Sequence, residues 1–411
     1  MDTHTERPSS FRSLLDLAGP AFFPIAFFAR LPLAMLTIGA LTLVSSTTGS
    51  YAAGGLAAGA VGIGSAAGAP LLGYAADKFG QRPVLLPSSI AHALVVAALL
   101  VAATASVPTT WLVLLLSLAA GATCPQVGPM ARVRWMSLTA GRPRARRELE
   151  TALSYESTVD ELTFVMGPAF VGLLASLVAP WLPLALAAAL TVVLVPAFAI
   201  HPTGASVPRH GRPGQAPAAQ WGRSRIVRVG TAVAGMVGMG TLFGATAAGT
   251  VAFAGLRGDS SAGGLLYAAL GLTSAAAALS VSAWPTGWAQ PARWVACAAA
   301  LVPLTLLLQL PNSMWSMVVA LLLVGLPVGP VMVTIFTVGG DVAPSGRLGT
   351  VMTLLASGIV VGTAIGNSLA GALADGYGHR GAFMVAAAAA LVLLAAGSLM
   401  ARLRRAGHRT V

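Results

Sequence analysis

Long apolar runs separated by short polar turns make up most of this 411-residue chain. A helix crossing a hydrocarbon layer roughly 30 Å thick needs about 20 apolar residues. Twelve runs reach that length: about 21–45, 51–75, 84–105, 109–131, 157–179, 181–200, 229–255, 261–284, 292–310, 314–338, 348–371 and 382–401. The turns between them alternate in character. One set is almost uncharged (SSTTGS, ASVPTT, the turn from Val178 to Leu182, PNS). The other is rich in arginine: GRPRARRELE, the Pro-rich stretch from His201 to Arg228, and the tail RLRRAGHR. Twelve crossings with alternating turns put both chain ends on the basic side.

The stretch 201–228 is the longest hydrophilic segment and divides the runs six and six. The expected organisation is a terminal segment 1–20, a bundle over 21–200, a linker 201–228, a second bundle over 229–401 and a tail 402–411. Features recur in order. Ala53-Gly54-Gly55-Leu56 opens the second run and Ala262-Gly263-Gly264-Leu265 the eighth. Pro125 and Pro129 interrupt the fourth, Pro327 and Pro330 the tenth. Gly167-Pro168 in the fifth matches Gly366-Asn367 in the eleventh, and Gly172 matches Gly371. Together these suggest a parallel repeat of six-span halves.

Composition agrees with a membrane protein: 56% of residues are hydrophobic, only 9% are charged, and mean hydropathy is +0.82. The net charge of +12 would suit a nucleic-acid partner if it were spread over a soluble surface. Its placement excludes that reading. Only Arg257 and Arg380 fall in turns of the neutral face, Arg30 lies in a run, and the remaining basic residues sit on one side, which is the positive-inside pattern of a cytoplasmic face. The lipid bilayer is therefore the expected partner, with no nucleic acid. All eight tryptophans fall near run ends, where an indole suits the headgroup layer. Cys124 and Cys297 lie inside runs and form neither a disulfide framework nor a metal site. Met1 to Pro20 lacks the core and cleavage site of a secretory signal, so the first span is expected to be retained.

Between the second and third runs lies Gly73 to Pro83, GYAADKFGQRP. Gly73 and Gly80 allow close helix approach and a tight turn, and Asp77 can accept from the N-terminal end of a neighbouring helix. Lys78 and Arg82 can pair with acids, or simply form a solvated basic turn. The spacing of these glycines and charges resembles the loop between spans two and three of the major facilitator superfamily. That resemblance implies an all-α integral membrane fold of twelve helices in two pseudo-symmetric six-helix bundles, and a cytoplasmic conformational latch carried by Gly73, Asp77, Lys78, Gly80 and Arg82. Gln81 stands where the family is often basic. The matching turn of the second half, PTGWAQPAR, keeps Gly287 and Arg293 but lacks the acid, so one half alone would hold a strong latch.

Arg30 is the sharpest single residue. About nine residues into the first span, it is too deep to snorkel and needs a wet cavity or a partner. A role in the cavity or in coupling, a structural ion pair, and an interfacial position all remain open. In span five Glu156 and Asp160 share a helix face. If immersed, Asp160 and Glu161 are candidate proton carriers; if interfacial, they pair with Arg82, Arg132 or Arg134 and close an inner gate. FVMGPAFVGL resembles the Gly-Pro motif of exporters in the superfamily, with Gly167 and Pro168 in place and Gly172 one position late. Pro125 and Pro129 break span four, with Gln126 between them as a substrate contact. By family analogy Met35, Met130, Met236, Met239, Met332, Phe243 and Phe336 line an apolar cavity, although each can equally be packing. His92 reads as a hydrogen-bonded helix residue, and the glycines of span two as a packing face.

The expected function is secondary transport by alternating access, a proton-coupled efflux of small, largely apolar compounds through the plasma membrane. The alternatives are a proton-coupled importer of a polar or anionic solute and a non-transporting sensor or scaffold. No set of catalytic residues converges, so no enzyme, cofactor or metal is expected. The partners would be a small-molecule substrate and the proton, with the chain acting as a monomer.

Overall fold

The computed structural model describes residues 11–105, 110–208, 222–257, 262–285 and 287–408. Most of the uncharged turn ASVPTT, the linker segment 209–221 with Trp221, and both chain ends lie outside the described residues.

Twelve helices are long and apolar enough to cross a membrane, and among the described residues there are no strands. They are Phe22–Thr48, Ala53–Phe79, Gln81–Thr104, Thr110–Thr139, Ala145–Leu177, Leu182–Ile200, Arg223–Gly255, Gly263–Ala283, Gln290–Leu307, Met314–Val342, Leu348–Ala374 and Gly376–Arg405, here spans 1 to 12. Spans 11 and 12 run into each other through Gly378, whose φ of 63° makes the corner.

Packing pairs recur six spans apart. Span 2 lies on span 4 and span 8 on span 10; span 3 lies on span 6 and span 9 on span 12; spans 1 and 5 pair as spans 7 and 11 do. Glycine creates these close approaches. A Cβ on Gly64 or Gly68 would run into the backbone of Leu118 and Ala122, and one on Gly325 or Gly329 into that of Leu270 or Ser274. Gly167 packs on Ala34 in the same way, whereas Gly172, Gly55 and Gly59 face open space. The result is two six-helix bundles, each with its own core.

Three expectations are corrected. Span 5 begins at Ala145, about twelve residues before the apolar run, because ARRELETALSYES is made largely of strong helix formers. Glu156, Asp160 and Glu161 therefore lie well inside a long helix. Span 10 is continuous despite Pro327 and Pro330, and span 4 breaks once, at 124–126. Pro129 falls in the first turn of its second segment, Val127–Thr139, where a missing N–H costs little. Finally, Trp135 and Trp294 are fully buried in bundle cores rather than in a headgroup layer.

The bundles meet through span 2 against span 11, span 5 against spans 8 and 10, and span 4 against span 11. The polar contacts across this seam among the described residues lie at mid-span or toward the basic face.

Candidate functional site

Two interrupted helices build the centre of the amino-terminal bundle. In span 1, Pro32 offers no N–H to the carbonyl four residues back, and the helix divides into Phe22–Phe28 and Leu31–Thr48 with Arg30 at the break. In span 4, Pro125 does the same, and the freed backbone groups find partners elsewhere. The Ala120 carbonyl meets His92 Nδ1 at 3.0 Å, the Gly121 carbonyl accepts from Ser65 Oγ at 3.3 Å, and Gln126 Nε2 donates to the Cys124 carbonyl at 3.0 Å.

At these breaks four charges converge. Arg30 donates through Nη2 to Glu156 and through Nη1 to Asp160 Oδ1 at 3.3 Å. Arg132 Nη2 donates to Asp160 Oδ2 at 2.7 Å, and Trp135 Nε1 to Glu156 Oε1 at 2.7 Å. Two cations and two anions make a neutral group, the arrangement in which charges tolerate burial. Gly128 leaves room at its centre: a Cβ there would stand 3.4 to 3.6 Å from Asp160, Arg132 and Arg30.

A cavity of about 60 Å³ opens on this group. At about 10–15 Å³ each, it has room for a few waters. Arg30, Gln126, Arg132 and Asp160 supply its polar wall, and spans 5, 10 and 11 its apolar wall, with Phe164, Phe336, Ile359 and Val360. Phe336 lies 3.8 Å beneath the Arg132 guanidinium, a cation–π contact that crosses the seam. Glu156 has no exposure, while the Asp160 side chain keeps 16% and is the carboxylate of the group that faces the cavity.

Arg30, Gln126, Asp160 and Phe336 thus come together. Met35, Met236 and Met239 do not line this cavity: Met35 packs with Leu31, Val171 and Ala187, and the other two lie in the core of the second bundle. Glu161 points away from the cavity, toward span 8, where Ser274 Oγ donates to it at 2.7 Å.

Toward the basic face, Asp77 accepts from the Gly349 and Thr350 backbone N–H groups, both at 2.7 Å, and from Thr350 Oγ1 at 2.6 Å. It caps the free N–H groups and positive dipole end of span 11 across the seam. Gly73 packs against Gly349 and Thr353, and Gly80, with φ of 94°, turns the chain. Lys78 and Arg82 are exposed. Gln81, standing where the related loop is often basic, accepts from Arg134 Nε at 2.8 Å, so a cation there would face a buried cation. Arg134 also donates to the Phe198 carbonyl and to Thr203, fixing the chain just beyond span 6. His201 at that end has its proton affinity lowered, by burial first and by the Arg134 charge second.

Sequence reasoning also missed an ion pair across the seam. Arg293, from the turn that lacks an acid, is buried and reaches Glu150 of span 5 at 3.2 Å. Glu150 borders a larger cavity of about 1260 Å³ at the basic face, walled also by Met136, Leu149, Gln290, Asp341 and Arg404 among others. Charge spacing places Arg132, Arg134 and Arg293 on the basic side but leaves no mark of their burial. Span 5's helix-forming preamble was the one available signal.

A family model described as Major Facilitator Superfamily matches residues 22–356 and 291–411. The chain belongs to the major facilitator superfamily. Among solved structures it is similar to the human organic anion transporter MFSD10 (TETRAN), with a TM-score of 0.68 at 19% identity over 93% of this chain and 99% of that one. It is also similar to a major facilitator transporter, FucP, in its outward conformation (0.64, 15% identity, 93% and 99%) and to the E. coli fucose:proton symporter FucP (0.59, 15%, 92% and 98%). At such identities these likenesses speak for the fold alone. No curated protein matches the sequence. Membership makes the chain a multi-pass membrane transporter of small molecules rather than an enzyme.

Proposed function

We propose that this transporter carries small, largely apolar compounds out of the cell in exchange for protons, as a monomer in the plasma membrane with its basic face and both termini in the cytoplasm. The carrying observation is Asp160, a half-buried carboxylate in the cavity wall that ties Arg30 of span 1 to Arg132 of span 4. A proton on Asp160 cancels one charge of a neutral group and loosens both arginines, so protonation and the arrangement of spans 1, 4 and 5 are linked. The aliphatic and aromatic surface of spans 5, 10 and 11 supports an apolar cargo. The Asp77 cap and the Arg293–Glu150 pair serve as the cytoplasmic lock, and the cavity at the basic face as the inner vestibule.

A specific observation favours a second reading, import of a small organic anion: Arg30 and Arg132 both line the cavity, and each has a buried Nε with no hydrogen-bond partner among the described residues.

Purified protein in vesicles with an imposed pH gradient, offered a panel of apolar compounds and small organic anions, tests both. Gradient-driven movement of the apolar compounds is expected, and Asp160→Asn should cut it at least about tenfold, the effect of some 1.4 kcal/mol. Accumulation of anions instead would move the assignment to the second reading. Absence of flux for every compound would leave a sensor or scaffold. Gradient-driven flux unchanged in the Asp160→Asn variant would remove Asp160 from the coupling step.

A further inference from the structure

Glu161 presents a different problem from its neighbours. It is 8% exposed, at mid-span, in the seam where span 5 packs on span 8. Glu156 and Asp160 each have an arginine, but among the described residues Glu161 forms no ion pair. The groups it meets are the Ser274 hydroxyl and Tyr267 from span 8, and the one charge that acts on it from its own helix is Asp160, which points the other way. None is a cation, and Asp160 is a like charge. The seam is tight on both sides of it: Thr158 Oγ1 donates to the Ala275 carbonyl at 3.1 Å one turn below, and Val165 meets Gly271 one turn above.

An ionised carboxylate sealed between two apolar helices with one hydroxyl donor is costly, and the neutral acid is not. We propose that Glu161 is a proton-binding site of the seam between spans 5 and 8, occupied while the basic face is sealed and emptied to water when the seam loosens. This goes beyond the transport reading and does not require Asp160 to carry the coupling proton. The proton comes from bulk water and returns to it; no other reactant is involved. Its consequence is directional: deprotonation places an unpaired anion in the seam, so raising the pH favours the conformation open at the basic face.

The test reads conformation rather than flux. The full chain in lipid nanodiscs, carrying spin labels on Ala140→Cys and Ala289→Cys at the basic face, is measured by pulsed electron resonance from about pH 5 to about pH 9. The sealed fraction of the native chain is expected to fall at least about tenfold over that range. In Glu161→Gln, which is close in shape and permanently neutral, it should change by less than about twofold. Ser274→Ala removes the carboxylate's hydroxyl donor and should move the midpoint upward by about one pH unit. Asp160→Asn should keep the pH dependence. Difference infrared spectra should show a protonated carboxyl stretch in the native chain at low pH that is missing in Glu161→Gln. A native sealed fraction indifferent to pH, a Glu161→Gln profile like the native one, or loss of the response in Asp160→Asn alone would each overturn the proposal.

Discussion

The two bundles share a plan and divide the chemistry unequally. Among the described residues, seven buried charged side chains lie in the amino-terminal half (Arg30, Arg132, Arg134, Glu148, Glu150, Glu156, Glu161) and one, Arg293, in the other. Span 4 is broken and carries two arginines, whereas its counterpart, span 10, is a continuous helix whose buried face is almost wholly apolar. Equivalent packing partners and glycine contacts hold both halves together, so burial of helix surface fixes the architecture without specifying what a cavity contains. The difference teaches that one half supplies the charge of the cavity and part of its wall, while the other adds mainly apolar surface. Phe336 beneath Arg132 is where they touch.

Breaking the charged half should have the largest effect. Arg30→Met leaves Glu156 with the Trp135 indole alone and Asp160 with Arg132 alone. Removing one partner of a buried ionic group costs about 3–5 kcal/mol. The variant should therefore show a strongly lowered unfolding midpoint in detergent, and loss of transport as a consequence. A midpoint within error of the native one would mean that water already screens the group.

The lock gives a smaller test. Both halves send a charge across the seam, Asp77 into the N-terminus of span 11 and Arg293 to Glu150, but they work differently. Asp77 gives two anionic oxygens to three donors. Asp77→Asn replaces one of these oxygens with an NH₂ facing N–H donors. The loss of a charged hydrogen bond, about 1.5–3 kcal/mol, should shift the sealed population at the basic face by roughly 10- to 100-fold. Distances between labels at positions 140 and 289 measure it. If they stay native, the Arg293–Glu150 pair holds the face by itself.

Much of this was legible in the chain. Apolar run length gave twelve spans because the bilayer imposes it, and the Gly73–Pro83 spacing pointed to Asp77 as an acceptor for a helix N-terminus, the position the structure gives it. Arg30 stood out because a charge at that depth demands a partner. The partner itself was hidden. Asp160 and Glu156 were assigned an ambiguous depth since the apolar run began only at about residue 157, and helix propensity, not hydropathy, carries span 5 back to Ala145. Glu161 and Asp160, adjacent in sequence, face opposite neighbours, which follows from helix geometry only once the packing of span 5 between spans 1 and 8 is known. Cross-seam pairs such as Glu150 with Arg293 join residues 143 positions apart, and no local pattern encodes them.

The methionines mark the other limit of the comparison, and the smallest effect. Met236 is a cavity candidate by analogy, yet it has no exposure and lies in the second bundle's core, where a Cβ on Gly358 would stand 3.1 Å from its own. Methionine and leucine are near in volume, so Met236→Leu should cost less than about 1.5 kcal/mol. Because its side chain packs among helices and not against cargo, apparent affinity for every transported compound should stay within about twofold of native, less than half a kcal/mol. A selective change for the bulkier compounds would show that the apolar wall extends past Phe336 to span 7. The carboxy-terminal half would then contribute recognition as well as surface.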